Sequence, residues 1–292
     1  MKMPVPLRRW EDQMPPSRKR RMRKGMYILP SIFTAANIGA GYYAIAQTLQ
    51  GTKEHPWPFN VAAIAIGIAI VADGLDGRVA RMTNTTSDFG REFDSLADVI
   101  TFGVAPAILA WMWGFRELSN FGNADLHARV VQLGVIATFI FLVAGASRLA
   151  RFNIQLNPQP SNPGRPGRKY FVGLPIPAGA AVIAATVHLF RGQPIASWWA
   201  APVWFAVVVI LGMLMVSTWR FYSFKDLNLK NRHPFQVIIL LSVLVLLLIY
   251  FSRYVLFTIA TAYAVSGILM RISWIFRRRP PAPTYLEAPE PR

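Results

Sequence analysis

At 292 residues the chain is long enough for one or two soluble domains, yet 53% of it is hydrophobic, only 15% is charged and the mean hydropathy is +0.34. That balance excludes an ordinary soluble protein, and the apolar residues fall into blocks of about 20, the length of helix that crosses roughly 30 Å of hydrocarbon. The net charge of +17 would suggest nucleic acid in a soluble chain, but the basic residues gather in connections and tails, as in a membrane protein oriented by its positive loops, so no nucleic-acid partner is expected.

Residues 1–25, "MKMPVPLRRWEDQMPPSRKRRMRKG", are basic and broken by Pro4, Pro6, Pro15 and Pro16. They read as a cytosolic tail, with a short interfacial segment anchored by Trp10 as the alternative. Eight helical spans are predicted near 27–49, 57–80, 92–114, 129–151, 174–190, 199–218, 234–251 and 254–275. The first is too long for the apolar core of a signal peptide and reads as an uncleaved span. The fifth, "LPIPAGAAVIAATVHLF", is short and opens on Pro175 and Pro177, which a first helical turn tolerates. Only "SRY" separates the last two, which predicts a tight helical hairpin. The ending 277–292 is proline-rich and is expected to be a disordered tail.

The connections test this arrangement. Basic residues concentrate in "RKRRMRK" of the first tail, in Arg78, Arg81 and Arg91, in Arg165, Arg168 and Lys169, in Lys225, Lys230 and Arg232, and in the final "RRR". The alternate connections "QGTKEHPWP" and "RGQPIASWW" hold one basic residue each. The predicted fold class is therefore an all-α bundle of about eight transmembrane helices occupying residues 26–276, with both termini cytosolic. Trp57 and Trp198, at span ends, read as interfacial anchors. The chain has no cysteine, which excludes disulfides and thiolate metal sites.

One stretch does not fit a plain membrane bundle. "VADGLDGRVARMTNTTSDFGREFDSLADVI", residues 71–100, puts Asp73, Asp76, Asp94 and Asp98 at the edges of two apolar runs. Asp73 and Asp76 are three apart and share a helical face with Gly77 and Ala80; Gly90, Asp94 and Asp98 recur every four residues and share another. Asp73 lies eight residues before Arg81, and Asp98 lies eight after Gly90, so each sits about 12 Å inside its helix end. Antiparallel neighbours would bring the four carboxylates to one depth. An aspartate in mid-membrane costs roughly 2.5–3.5 kcal/mol, and close carboxylates also repel. Mg²⁺ or Mn²⁺, hard cations that take oxygen ligands, would offset this and points to phosphate chemistry. Gly77, Ala80 and Gly90 leave room for a bulky ligand, although small residues also serve close helix packing.

Written as Asp73-x-x-Asp76-Gly77-x-x-Ala80-Arg81, eight residues, then Gly90-x-x-x-Asp94-x-x-x-Asp98, the stretch resembles the signature of the CDP-alcohol phosphotransferase family. Every defined position and spacing agrees. The resemblance implies a bundle of membrane helices with a metal site at its cytosolic side, in which an alcohol attacks the β-phosphorus of a CDP-linked lipid and CMP leaves. It implies that Asp73, Asp76, Asp94 and Asp98 hold the metal and that Asp98 is the general base. Gly77, Ala80 and Gly90 would contact the nucleotide, and Arg81 a phosphate oxygen. A homodimer in a bacterial cytoplasmic membrane is also implied.

Further segments, "PSIFTAANIGAG", "FDSLADVITFGVAPA", "RLARFN", "FVGLPIPAGA" and "LMVSTWRFYSFKDL", are similar to the integral-membrane members of that family that use L-serine as acceptor and CDP-diacylglycerol as donor. Arg148 and Arg151, three apart on one helical face, could bind the serine carboxylate or a lipid phosphate, or simply set topology; Asn153 could orient either partner or end the helix. Thr34 and Asn37 could reach the cytidine or a lipid phosphate, with satisfaction by neighbouring helix backbones as the plainer account. The long connection "IQLNPQPSNPGRPGRKYF" could cover the site or be a passive linker. The four histidines show no ligand spacing. Another acceptor, such as glycerol 3-phosphate or an inositol compound, stays open, as does a divalent-cation transporter, although transport does not explain Arg81 beside the carboxylates.

Overall fold

The computed structural model describes residues 16–83, 88–118, 124–154, 170–222 and 234–276; within these, the side chains of 16–31, 76–83, 88, 234–238, 240, 241, 274 and 275 stand outside the description. The elements are α1 (Pro16–Gln50), α2 (Trp57–Thr83), α3 (Asp88–Asp98), α4 (Ala105–Trp111), α5 (Ala124–Asn153), β1 (Tyr170–Val172), α6 (Ile176–Leu189), α7 (Ala200–Val216), β2 (Arg220–Tyr222) and α8 (Pro234–Phe276). α3 and α4 are one rod: a π turn over Val99–Val104 joins them, and a second, Met112–Arg116, ends it.

The molecule is helical, and four helical stretches are long and apolar enough to cross a membrane: Trp57–Leu75, Phe89–Arg116, Ala124–Asn153 and Ser242–Ser273. Ile176–Leu189 and Ala200–Val216 are shorter apolar helices. Three differences from the sequence expectation stand out. Residues 16–25, expected in the first tail, continue α1 as helix; the arginines, lysines and methionine of 18–24 are all good helix formers. "SRY" is helical, and the break between the last two predicted spans falls on Phe251 alone (φ −129°, ψ 28°) inside α8. A two-stranded antiparallel pair, β1 with β2, adds to the helices, with Phe171 opposite Phe221. Strands of three residues, Tyr-Phe-Val and Arg-Phe-Tyr, are too short to show a period-two pattern. Residues 155–169, which include Arg165, Arg168 and Lys169, lie outside the described residues, as do the tails 1–15 and 277–292.

The bundle is dry inside and apolar outside. Phe59, Ile66, Phe102, Leu109, Trp113, Phe141, Ile183 and Met215 are buried together, while Ile64, Ile68, Val71 and Leu75 on α2 and Val243–Leu247 on α8 face outward. Water would reject such an exterior, and lipid accepts it. Trp57 and Trp198 are exposed at helix ends, as interfacial anchors are. Polar side chains also tie helices together inside the bundle. His188 joins three helices, its Nδ1 at 2.8 Å from Asn60 Oδ1 and its Nε2 at 3.2 Å from Ser252 Oγ.

α1 packs along α2 and also against α3 and the π turn that follows Asp98. The Thr101 hydroxyl in that turn donates to the Asn37 carbonyl at 2.9 Å, and a Cβ at Gly41 would stand 2.6 Å from Thr101 Oγ1 and 2.8 Å from its Cα. Gly41 thus permits the backbone approach that seats the Asp98 end of α3. Nothing lies within 4 Å of a Cβ at Gly39. Gly41→Ala is expected to destabilise by about 1–3 kcal/mol through overpacking, whereas Gly39→Ala should be neutral or slightly stabilising through helix propensity. Thermal melting of the two purified variants separates them, and equal midpoints would remove Gly41 from this role.

Candidate active site

α2 and α3 bring the acidic residues together from opposite chain directions. Asp73, Asp94 and Asp98 are half-buried, and one carboxylate oxygen from each lies within 4.8 Å of the others. The four-residue spacing puts Asp94 and Asp98 one above the other on α3, and α2 supplies Asp73 against them. Asp98 feels the charges of Asp73, Asp94 and Arg148. Two ionised carboxylates this close repel by on the order of 3–4 kcal/mol at an effective dielectric near 20, so three together require a compensating cation or proton. Asp98 Oδ1 is buried and has no hydrogen-bond partner. An all-oxygen set with an orphaned acceptor suits a hard divalent cation, and the three aspartates could hold one.

Asp76, Gly77, Ala80 and Arg81 occupy the last turns of α2; their side chains lie outside the described residues. Gly90 sits on α3, two turns before Asp98, and is partly buried.

Across from α3, the end of α5 carries the three residues expected near the acceptor, and the structure gives them different surroundings. Arg148 is half-buried with an Nε that is buried and without a partner, and it interacts electrostatically with Asp98, Arg151 and Tyr263. Arg151 is tied to the scaffold, its Nη2 donating to the Met215 carbonyl at 3.3 Å at the end of α7. Asn153 clamps α5 to α3: its Nδ2 donates to Ser95 Oγ at 3.0 Å and to Glu92 Oε2 at 3.2 Å. Ser95 is the neighbour of Asp94, so the clamp holds the carboxylate-bearing turn in register.

On α1, Asn37 is 4% exposed, and neither its Oδ1 nor its Nδ2 has a partner. The plainer expectation, that neighbouring backbones satisfy it, does not hold for Asn37. It stands beside the π turn that follows Asp98.

Sequence reasoning missed several residues here. Tyr263 of α8 donates its hydroxyl to the Tyr222 carbonyl at 3.2 Å and neighbours Arg148. Arg220 of β2 lays its guanidinium 5.1 Å from the centre of the Tyr170 ring. Ser95 and Glu92 complete the Asn153 clamp. A tyrosine far along the chain and an arginine in a three-residue strand carry no spacing signal. The serine lies inside the aspartate motif at an undefined position.

Comparison with known proteins agrees with this geometry. The sequence pattern of the family described as CDP-alcohol phosphatidyltransferase matches residues 27–203, which contain every aspartate of the site. A protein of Helicobacter pylori named CDP-diacylglycerol–serine O-phosphatidyltransferase is 38% identical over 218 residues, covering 74% of this chain and 81% of its own length. Proteins of the same name from Methanocaldococcus jannaschii and Saccharomyces cerevisiae are 37% and 35% identical over 161 and 159 residues; these cover 55% and 54% of this chain, and 63% and 52% of their own lengths. With the family match spanning more than half the chain and its aspartates converging in space, the chain is an enzyme of the CDP-alcohol phosphatidyltransferase family.

Proposed function

We propose that the chain transfers the phosphatidyl group of CDP-diacylglycerol to the hydroxyl of L-serine, giving phosphatidylserine and CMP. The observation that carries this is the meeting of Asp73, Asp94 and Asp98 within 4.8 Å inside the family match. Serine as acceptor is supported by the shared name of the relatives from three lineages.

Asp73, Asp76, Asp94 and Asp98 would hold Mg²⁺ or Mn²⁺, which when bound supplies positive charge against the pyrophosphate of the donor. Asp98 takes the proton of the serine hydroxyl as its oxygen bonds to the β-phosphorus and the bond from that phosphorus to the CMP oxygen breaks. Arg81 binds a phosphate oxygen, for which its planar fork is suited, while Gly77, Ala80 and Gly90 admit the nucleotide against the helix backbones. Asn37, with both amide atoms unpartnered, is available to the cytidine or a lipid phosphate. Of the two α5 arginines, Arg148 keeps free bonding capacity and meets the serine carboxylate, whereas Arg151 and Asn153 hold α5 in place. The chain crosses a bacterial cytoplasmic membrane eight times with both termini and this site facing the cytosol, as the distribution of basic residues supports.

Three experiments test these statements. Purified protein given CDP-diacylglycerol, Mn²⁺ and a panel of alcohols should release CMP at least tenfold faster with L-serine than with glycerol 3-phosphate or inositol; a faster rate with another alcohol would reassign the acceptor. Asp98→Asn should lower turnover by at least about 10²-fold, within the range for loss of a general base, while CDP-lipid still binds. Asp73→Asn should also weaken metal-dependent binding, measured by Mn²⁺ titration, and near-normal turnover in Asp98→Asn would take the base role from it. Because the chain has no cysteine, single cysteines report sidedness. Thr52→Cys should react with an impermeant maleimide in intact cells and Thr86→Cys only after permeabilisation, and the reverse pattern would invert the topology.

A further inference from the structure

The family pattern matches as far as residue 203 and α8 begins only at Pro234, yet α8 brings a side chain to Arg148. Tyr263 is half-buried and interacts electrostatically with that arginine. Its ring is held in place from β2. Phe221, fully buried, packs against it with 6.0 Å between ring centres, and a Cβ at Gly267, one turn further along α8, would run into the Phe221 ring. The Tyr263 hydroxyl donates to the Tyr222 carbonyl at 3.2 Å. β2 is itself paired with β1, and Gly173, directly after β1, donates its N–H to the Trp219 carbonyl at 2.8 Å. The tyrosine thus stands against a braced pair of strands.

The chemistry of the hydroxyl suits a support for Arg148. A phenol both donates and accepts, whereas a guanidinium only donates. Because the Tyr263 proton goes to the Tyr222 carbonyl, its oxygen offers Arg148 an acceptor and no competing proton. The charged neighbours of Arg148 pull it elsewhere: Asp98 attracts it and Arg151 repels it. A guanidinium drawn onto the carboxylates would be lost to an acceptor alcohol. A neutral oxygen from a third helix is a counterweight to that pull and adds no charge of its own. Arg151 is poorly placed to substitute, since its Nη2 already donates to the Met215 carbonyl at 3.3 Å.

We propose that Tyr263 is a positioning residue for acceptor selection, holding the Arg148 guanidinium where it meets the serine carboxylate. The role rests on the reading of Arg148 as the group that binds that carboxylate. Purified full-length protein is assayed for phosphatidylserine formation over a range of L-serine concentrations. Tyr263→Phe keeps the ring against Phe221 and removes the oxygen. It should raise the KM for serine about tenfold, with kcat and the KM for CDP-diacylglycerol within about twofold, because saturating serine recaptures the arginine. In an Arg148→Lys background the same substitution should add less than about twofold, and losses that simply multiply would overturn the proposal as a general structural effect. Tyr254→Phe, at an exposed position of the same helix, should leave the serine KM unchanged, and an equal rise there would also overturn it. The wild type tests the premise without any substitution. Serinol, which keeps the hydroxyl and amine of serine and lacks its carboxylate, should react at least about tenfold less efficiently, and equal efficiency would overturn the proposal. If the wild type forms no phosphatidylserine, the acceptor reading falls and this role with it. If it does and Tyr263→Phe keeps the wild-type serine KM, the role of Tyr263 alone falls.

Discussion

Three carboxylates within 4.8 Å of one another in membrane-spanning helices are the constraint around which the rest of the structure is arranged. Neither lipid nor a dry protein interior tolerates that concentration of negative charge without a cation. The three aspartates could hold such a cation. Their repulsion also means that the helices cannot be held together by the site itself. The scaffold must force α2 and α3 into contact by apolar packing elsewhere.

That scaffold is built from close approaches and a small number of polar ties. α1 supports both acidic helices, and Gly41 lets its backbone lie against Thr101, one turn past Asp98. The π turn over Val99–Val104 follows directly on Asp98, so the Asp98 end of α3 is fixed by a departure from regular helix. From the other side, Asn153 grips Ser95 and Glu92, and Arg151 grips the end of α7. Among the described residues, Asn37, Arg148 and Arg220 keep buried side-chain atoms without a hydrogen-bond partner. Groups kept unpaired in such a setting are destabilising until a ligand meets them, which is how a substrate pocket differs from a packed core.

The two ends of the bundle solve opposite problems. One end concentrates charge and is suited to a cation and phosphates. The other encloses an apolar cavity between α6, α7 and α8. Both rely on the same exterior, an apolar face that only a bilayer solvates. A lipid enzyme in that setting has to admit hydrocarbon at one depth and polar headgroups at another, and the distribution of its buried polar atoms follows that division.

Much of this was already written in the chain. The apolar blocks gave α2, α6 and α7 to within a few residues, since a membrane span needs about 20 apolar residues and leaves little freedom. The motif from Asp73 to Asp98 gave the convergence of carboxylates, because helical spacing turns i, i+3 and i+4 into a shared face. Other features depended on which distant segments meet. That α8 brings Tyr263 to Arg148, that β1 and β2 pair, and that Asn37 stays unsatisfied while Asn153 does not are long-range facts without a local period. The break at Phe251 and the helical extension of α1 back to Pro16 went against expectation, because connection length and composition do not fix where one helix ends. The sequence by itself determined the membrane class, the helices and the acidic chemistry, through periodicity and the expense of charge in lipid. Only the tertiary structure decided which polar groups are satisfied by protein and which are left for a ligand, because that depends on partners contributed from far along the chain.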